Sequence, residues 1–216
     1  MGWFPVFLKL TDARCLVVGG GKVAHRKVES LLHAGAYIEV LSADFCKDIV
    51  QLAAENSSRV QLERGTYASR DLSIYQLVVA ATDDPQTNRL VYEDAQRARV
   101  LVNVVDVPEL CTAQAAAVVR RGPLQIAIHT GGECPALAAT IRQELENLYP
   151  TWIGDFAEAL GVIRQDLLTR CPDSQDRKRI LQTLAEAIVR DKCRNLSRQE
   201  MIDYLSAEMH RLLKNT

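Results

Sequence analysis

Gly19, Gly21 and Ala24 stand at the spacing of a G-x-G-x-x-A fingerprint, and the chemistry of that spacing is phosphate binding. Missing side chains let the backbone turn tightly and bring its amides against a pyrophosphate at a helix N-terminus. A glycine pattern alone suits a plain tight turn as well, so the flanking elements decide between the two. Other polar groups stand at the ends of apolar runs. Thr82 follows the run 76–81, Asn103 lies within 100–105, and Asp106 follows that run directly. Thr82 and Asn103 fit contact with a cofactor or substrate better than core packing. Asp106 admits two readings: a carboxylate beside a cofactor loop takes up a proton, or it caps the turn before Pro108. His129 ends another alternating run beside Thr130, as a contact to substrate or metal or as an ordinary structural histidine.

The elements that must position these groups follow from periodicity. Cys15-Leu-Val-Val18 is a short apolar, β-branched run of the kind that fills a strand buried on both faces, and glycines 19–21 follow it at once. Val23, Val28, Leu31 and Leu32 then recur at helical spacing until Gly35 and Ala36 close the helix. Further along come a strand at 37–41, a helix around Ile49 to Ala53, a half-buried strand at 60–64, and a loop at 67–72. An apolar strand at 76–81, a helix at 88–99 and a third apolar strand at 100–105 complete the series. Residues 5–10 read as an N-terminal edge segment. Strands alternating with helices up to about residue 110 predict an α/β fold with a Rossmann-like, doubly wound, mostly parallel sheet. Ligands of such sheets bind beyond the C-terminal strand ends, so loops 19–23, 42–44, 82–84 and 103–108 are expected to face one crevice. The second strand ends at Leu41-Ser42-Ala43 with Asp44 just beyond, and Lys47 nearby leaves a phosphorylated ribose open beside unphosphorylated NAD.

Beyond residue 112 the pattern changes. Residues 113–119 suit helix or strand, 124–128 alternate as a strand, and 134–148 read as a helix with proline at its start. From Trp152 the chain is helical, with apolar positions at Phe156, Leu160 and Ile163, then Ile180, Leu184 and Ile188, then Met201, Leu205 and Met209. Breaks are expected near 171–174 and 195–197.

A chain of 216 residues that is 48% apolar buries a real core. Its net charge of −1 argues against a nucleic-acid or membrane-surface role driven by bulk charge. No run approaches the roughly 20 apolar residues of a membrane span, so a soluble cytoplasmic protein is the expectation. Six cysteines are scattered without a C-x-x-C pair or a histidine at ligand spacing. A metal site is therefore not expected, and reduced thiols, several of them in the core, are.

Several segments together resemble the precorrin-2 dehydrogenase/sirohydrochlorin ferrochelatase family, which includes the N-terminal module of siroheme synthases. They are Pro5-Val-Phe-Leu8, Cys15-Leu-Val-Val-Gly-Gly-Gly-Lys-Val-Ala24, Ala80-Ala-Thr-Asp-Asp84, Asn103-Val-Val-Asp-Val-Pro108 and the stretch 123–138 with its His129-Thr-Gly-Gly132 core. They occur in the family's order and cover roughly residues 3 to 148. The resemblance implies NAD-dependent oxidation of precorrin-2 to sirohydrochlorin, with ferrous iron as the substrate of a second, chelating activity in many members. It implies a homodimer joined through a segment at 113–149, between a dinucleotide domain at 1–112 and a helical domain at 150–216. It assigns the essential aspartate to Asp106, cofactor contacts to Lys22, Val23, Ala43 and Asp44, and a position near the tetrapyrrole to Thr130. Dehydrogenation sends a hydride to the nicotinamide and a proton elsewhere, and a strand-end carboxylate such as Asp106 is placed to receive the latter. Arg120, Arg121 and Arg142 would answer the substrate's carboxylates by forked hydrogen bonds, or stand solvated at the surface. Where many members carry an aromatic residue and then a proline after the aspartate loop, this chain has Thr112-Ala-Gln-Ala-Ala-Ala117. The competing reading is a nucleotide-sensing or ligand-binding regulatory module that uses the same fold without chemistry.

Overall fold

Cys15-Leu-Val-Val18 lies at the centre of the sheet in the computed structural model, which describes residues 2–214. As strand β1 (Arg14–Val18) it sends Cys15 and Val17 into one core and Leu16 and Val18 into another, because successive side chains point to opposite faces. Helices α1 (Lys22–His33) and α2 (Lys47–Glu55) close the first core through Ala24, Val28, Leu31, Ile49 and Ala53. Helix α3 (Pro85–Ala98) closes the second through Val91 and Ala95, helped by Leu72 and Tyr75 of the loop before β4. Strands β2 (Tyr37–Ser42), β3 (Val60–Arg64), β4 (Leu77–Ala80) and β5 (Leu101–Val104) complete a parallel sheet in the order β3-β2-β1-β4-β5. Helices on both faces and this order are the doubly wound α/β arrangement expected. The chain turns back across the sheet between β3 and β4, so the C-terminal ends of β1 and β4 flank the point where strand order reverses.

Capping chemistry sets the ends of the helices. Asp84 accepts hydrogen bonds from the amides of Gln86 and Thr87, both at 3.1 Å, and Pro85 occupies the first helical position. Helix α3 therefore begins three residues before the expected 88–99, and Arg99, left-handed at φ 56°, ends it. Residues 5–10 differ from the expected edge segment. They form no strand, and Phe4, Val6 and Phe7 are exposed, while Leu10 alone of the run is buried. Pro5 offers no amide proton to a ladder.

The chain divides into two compact units, Met1–Ala115 and Ala116–Thr216. The ambiguous stretch 113–119 splits at this boundary. The amide of Ala113 donates to Val102 O at 3.0 Å, and regular strand begins only with β6 (Ala117–Arg121). In the second unit β6 pairs antiparallel with β7 (Leu124–Ile128) across a turn at Gly122, φ 53°. Arg121 donates from Nε to Tyr149 O at 2.6 Å and from Nη2 to Glu146 O at 2.9 Å, which caps the C-terminus of α4 (Pro135–Leu148). Helices α5 (Trp152–Arg170), α6 (Ser174–Leu184), α7 (Ala187–Cys193) and α8 (Arg198–Leu213) share a core that includes Ile163, Leu167, Leu184, Met201, Leu205 and Met209. Asp173 caps α6, and Ser197 with Glu200 forms a capping box on α8, so the breaks near 171–174 and 195–197 stand where expected. A further break at 185–186 was not expected. It resets the helical phase, and Ile188, read as a core position, is 71% exposed.

Cys15, Cys171 and Cys193 are buried, Cys134 is exposed, and all six cysteines are free. Among the described residues no helix is long and apolar enough to cross a membrane.

Candidate functional site

At the reversal point the glycine run does two different jobs. Gly19 has φ +122°, and a Cβ there would stand 2.3 Å from Ala81 O, so the turn out of β1 runs directly against the end of β4. A Cβ on Gly20 would stand 1.9 Å from Asp44 O, and the Cys46 amide donates to Gly20 O at 2.8 Å. These two glycines are required by close approach of the protein to itself. Gly21 is not. Its φ of −87° suits any residue, and a Cβ there would meet nothing within 4 Å.

Gly21 opens instead onto a cleft of about 770 Å³. Its walls are the ends of three strands: Gly19 to Val23 after β1, Ser42 to Cys46 after β2 and Thr82 to Asp84 after β4, with Gly65, Thr66 and Tyr67 closing the β3 side. Helix α1 starts at this cleft. Among the described residues no side chain caps its N-terminus and no acidic residue stands in its first turn. The first amides of α1 and the positive end of its dipole are thus left for an anion. A glycine that protein packing does not demand, beside uncapped helix amides, fits the pyrophosphate of a dinucleotide.

Of the predicted cofactor contacts, Gly19, Gly21, Lys22, Val23, Ala43, Asp44 and Thr82 all line this cleft. Asp44 is exposed and lies 3.4 Å from Arg64 Nη2 at the end of β3, so the acidic group beyond the second strand has a cationic neighbour. The Thr82 hydroxyl donates to Asn88 Oδ1 at 2.8 Å, and Asn88 Nδ2 donates back to Thr82 O at 2.9 Å. Asn88 is buried on α3 and fixes the shape of the β4 loop; sequence reasoning missed it because it sits inside an ordinary helical pattern.

The fourth loop, 103–108, does not line the cleft. It is tied beside it, the Val105 amide donating to Ala80 O at 2.9 Å. Asn103 turns its Nδ2 to Ala113 O at 3.1 Å, while its buried Oδ1 has no partner among the described residues. Asp106 is exposed in the turn after β5 with φ +59°, a left-handed conformation that glycine adopts freely and that asparagine and aspartate enter more readily than most other residues. Half-buried Lys27 on α1 lies within electrostatic reach of Asp106 and Cys111. Burial and neighbouring Arg26 hold its ammonium below the ordinary lysine range, against the opposing pull of Cys111 and Asp106.

Tyr67 owes its place on the cleft wall to Asp94. That buried carboxylate accepts from Tyr67 Oη at 2.7 Å, Ser69 Oγ at 2.9 Å and the Arg70 amide at 3.1 Å, and pairs with Arg97. Twenty-seven residues separate Tyr67 from Asp94, and no local signal links them.

In the second unit Thr130 Oγ1 accepts from the Cys134 amide at 3.3 Å ahead of α4, and His129 Nδ1 accepts from the Gly131 amide at 3.2 Å. Arg120 is exposed on β6 opposite Gln125. Arg121 and Arg142, also weighed as carboxylate ligands, are engaged, the former as the α4 cap and the latter with Glu146. Among the described residues no group of three His, Cys, Asp or Glu is placed to hold a metal ion.

Known proteins align with both units. A family described as putative NAD(P)-binding matches residues 6–117, and one described as sirohaem biosynthesis protein central matches residues 121–148. The siroheme synthase of Chromobacterium violaceum is 41% identical over 197 residues, covering 90% of this chain and 41% of that protein. The siroheme synthases of Thioalkalivibrio sulfidiphilus and Pseudomonas putida are each 40% identical, over 88% and 89% of this chain and 38% and 41% of their own lengths. This chain thus spans about two fifths of the curated relatives it matches. The solved structure of SirC, a precorrin-2 dehydrogenase, matches with a TM-score of 0.73 at 24% identity, over 95% of this chain and all of that one, and so shares its fold. The resemblance read from the motifs is met in both units. With more than half of its 216 residues inside the first match, the chain belongs to the putative NAD(P)-binding family.

Proposed function

We propose that this chain is an NAD-dependent dehydrogenase that oxidises precorrin-2 to sirohydrochlorin. The observation that carries the reading is Gly21, open to the cleft at an uncapped helix start in a chain about 40% identical to siroheme synthases. Gly19, Gly21, Lys22 and Val23 hold the pyrophosphate, Ala43 and Asp44 meet the adenosine ribose, and Thr82 flanks the nicotinamide half, whereas Asn103, expected there too, turns its amide to Ala113 O and holds the end of β5 instead. When bound, NAD supplies the hydride acceptor. The carboxylate of Asp106 takes the proton that leaves the tetrapyrrole, so that the substrate loses one hydride and one proton and NADH forms. Thr130, His129 and Arg120 are the candidate contacts to substrate carboxylates. Ferrous iron is the substrate of a second, chelating step. A second copy of the chain would cover the open edges of the two-stranded β6–β7 sheet, which is marginal alone, and the exposed Phe4, Val6 and Phe7.

Anaerobic incubation with precorrin-2 and NAD, followed by absorbance, tests the reaction. The expected outcome is sirohydrochlorin with stoichiometric NADH, and Asp106→Asn is expected to lower the rate by about a hundredfold or more while NADH still binds. Absence of product from the parent chain refutes the reading. An unchanged rate in the variant refutes the role of Asp106. Adding ferrous ion to the product tests the chelating step, and light scattering during gel filtration tests the homodimer.

A further inference from the structure

Cys111 takes no part in the chemistry above, yet its sulfur sits inside the turn that carries Asp106. Strand β5 ends at Val104, and the Val107 amide closes back on Val104 O at 3.3 Å, leaving Asp106 as the left-handed residue in the middle. Cys111 Sγ lies 3.3 Å from the Val104 amide, which donates to it, and 3.6 Å from Asn103 Nδ2, a second donor. Its own proton has two acceptors in reach, Val104 O at 3.1 Å and Val107 O at 3.4 Å. One atom therefore touches the main chain at both ends of the turn. A left-handed, exposed aspartate holds one position only if its surroundings over-determine it. The Val105 amide ties the start of the turn to Ala80 O and the Leu110 amide ties its end to Val107 O, but within the turn Val104 is joined to Val107 by this sulfur and one backbone bond. Burial pushes the Cys111 thiol up, so at neutral pH it keeps the proton that a donor needs and is a poor nucleophile.

We propose that Cys111 is the positioning residue for Asp106, its thiol stapling Val104 to Val107 so that the carboxylate stays at one point beside the cofactor loop. The inference rests on the role proposed above for Asp106. It explains a cysteine in this loop without assigning it chemistry. Serine should substitute, because a hydroxyl also accepts from the Val104 amide and donates to either carbonyl, whereas alanine can do neither.

The test uses the full chain with Cys111→Ala and Cys111→Ser and two readouts. In hydrogen exchange, the amides of Val104 and Val107 should exchange faster in Cys111→Ala and at close to the parent rate in Cys111→Ser. In turnover of precorrin-2, Cys111→Ala should lower kcat by about tenfold to a hundredfold at unchanged affinity for NADH, the scale of a displaced reacting group, and Cys111→Ser should recover to within about threefold. Unchanged exchange in the alanine variant, or a serine variant as loose and as slow as alanine, overturns the staple. Should Cys111→Ala fail to fold, the serine variant decides alone: parent-like exchange and turnover support the staple, and loss of both overturns it. Failure of the underlying reading looks different, with Asp106→Asn as active as the parent while Cys111→Ala still loosens the turn.

Discussion

Gly20 and Gly21 are neighbours with opposite reasons for being glycine, and exchanging each for alanine separates folding from binding. A Cβ at Gly20 would stand 1.9 Å from Asp44 O and 2.9 Å from its carbon, main-chain atoms that cannot swing aside as a side-chain tip can. The turn must open, at about 3 kcal/mol for an overpacked site of this kind. At roughly 2–4 °C per kcal/mol for a chain of this size, the melting temperature should fall by about 6–12 °C. A Cβ at Gly21 meets nothing within 4 Å, and its φ of −87° asks nothing of alanine. That variant should melt within about 2 °C of the parent. Its cost falls on the ligand instead, since the methyl projects where the pyrophosphate must approach the first amides of α1. Loss of about 1.4–2.8 kcal/mol would weaken NADH binding about tenfold to a hundredfold. Differential scanning fluorimetry and titration of NADH fluorescence give the two numbers. If Gly21→Ala melts as low as Gly20→Ala, or binds NADH as tightly as the parent, the division of labour inside the glycine run is wrong.

Asp94→Ala strands the Tyr67 hydroxyl, the Ser69 hydroxyl and the Arg70 amide, and should cost about 3 kcal/mol in urea unfolding at neutral pH. Burial pushes the Asp94 carboxyl up, but the bonds from Tyr67, Arg70 and Ser69 and the charge of Arg97 outweigh it and hold the group below the ordinary aspartate range. The folded state thus binds this proton less readily than the unfolded one. Its contribution is full above the unfolded value of about 4 and is lost as pH falls below it, so Asp94→Asn should flatten the acid side of the stability curve. In the second unit Gly154→Ala sets a helix-propensity gain of up to about 1 kcal/mol against a Cβ that must intrude on the hairpin turn. That Cβ would stand 2.8 Å from Arg121 C and 2.9 Å from the Gly122 amide nitrogen, so the melting temperature should fall, and a rise would contradict the close crossing of α5 over β6 and β7.

The sheet was legible because a strand buried on both faces must be apolar throughout, and Cys15-Leu-Val-Val18 followed at once by three glycines admits few alternatives. Helix α3 was legible as well, though it starts three residues before the expected 88, because Asp84 caps it and Pro85 takes its first position, and neither is part of the apolar period. The break at 185–186 was not legible. Alanine and glutamate are strong helix formers, so nothing local marks the stop, and the phase of Ile188 was carried through it.

For the candidate site, the sequence by itself determined which backbone could approach a phosphate, because glycine spacing after an apolar strand is a local property of the chain. It also named three strand-end loops that line the cleft, 19–23, 42–44 and 82–84, since strand ends can be located by hydrophobic period, while the fourth, 103–108, was expected there and stands beside it. What only the tertiary structure decided is how those ends are held. Tyr67 reaches the cleft through Asp94, Thr82 is shaped by Asn88, and the Asp106 turn closes on Cys111. Each is a pairing of polar groups brought together by the fold, and hydrogen-bond partners of that sort leave no period in a sequence. The same physics separates Gly20 from Gly21, identical letters of which one faces Asp44 O and the other open space.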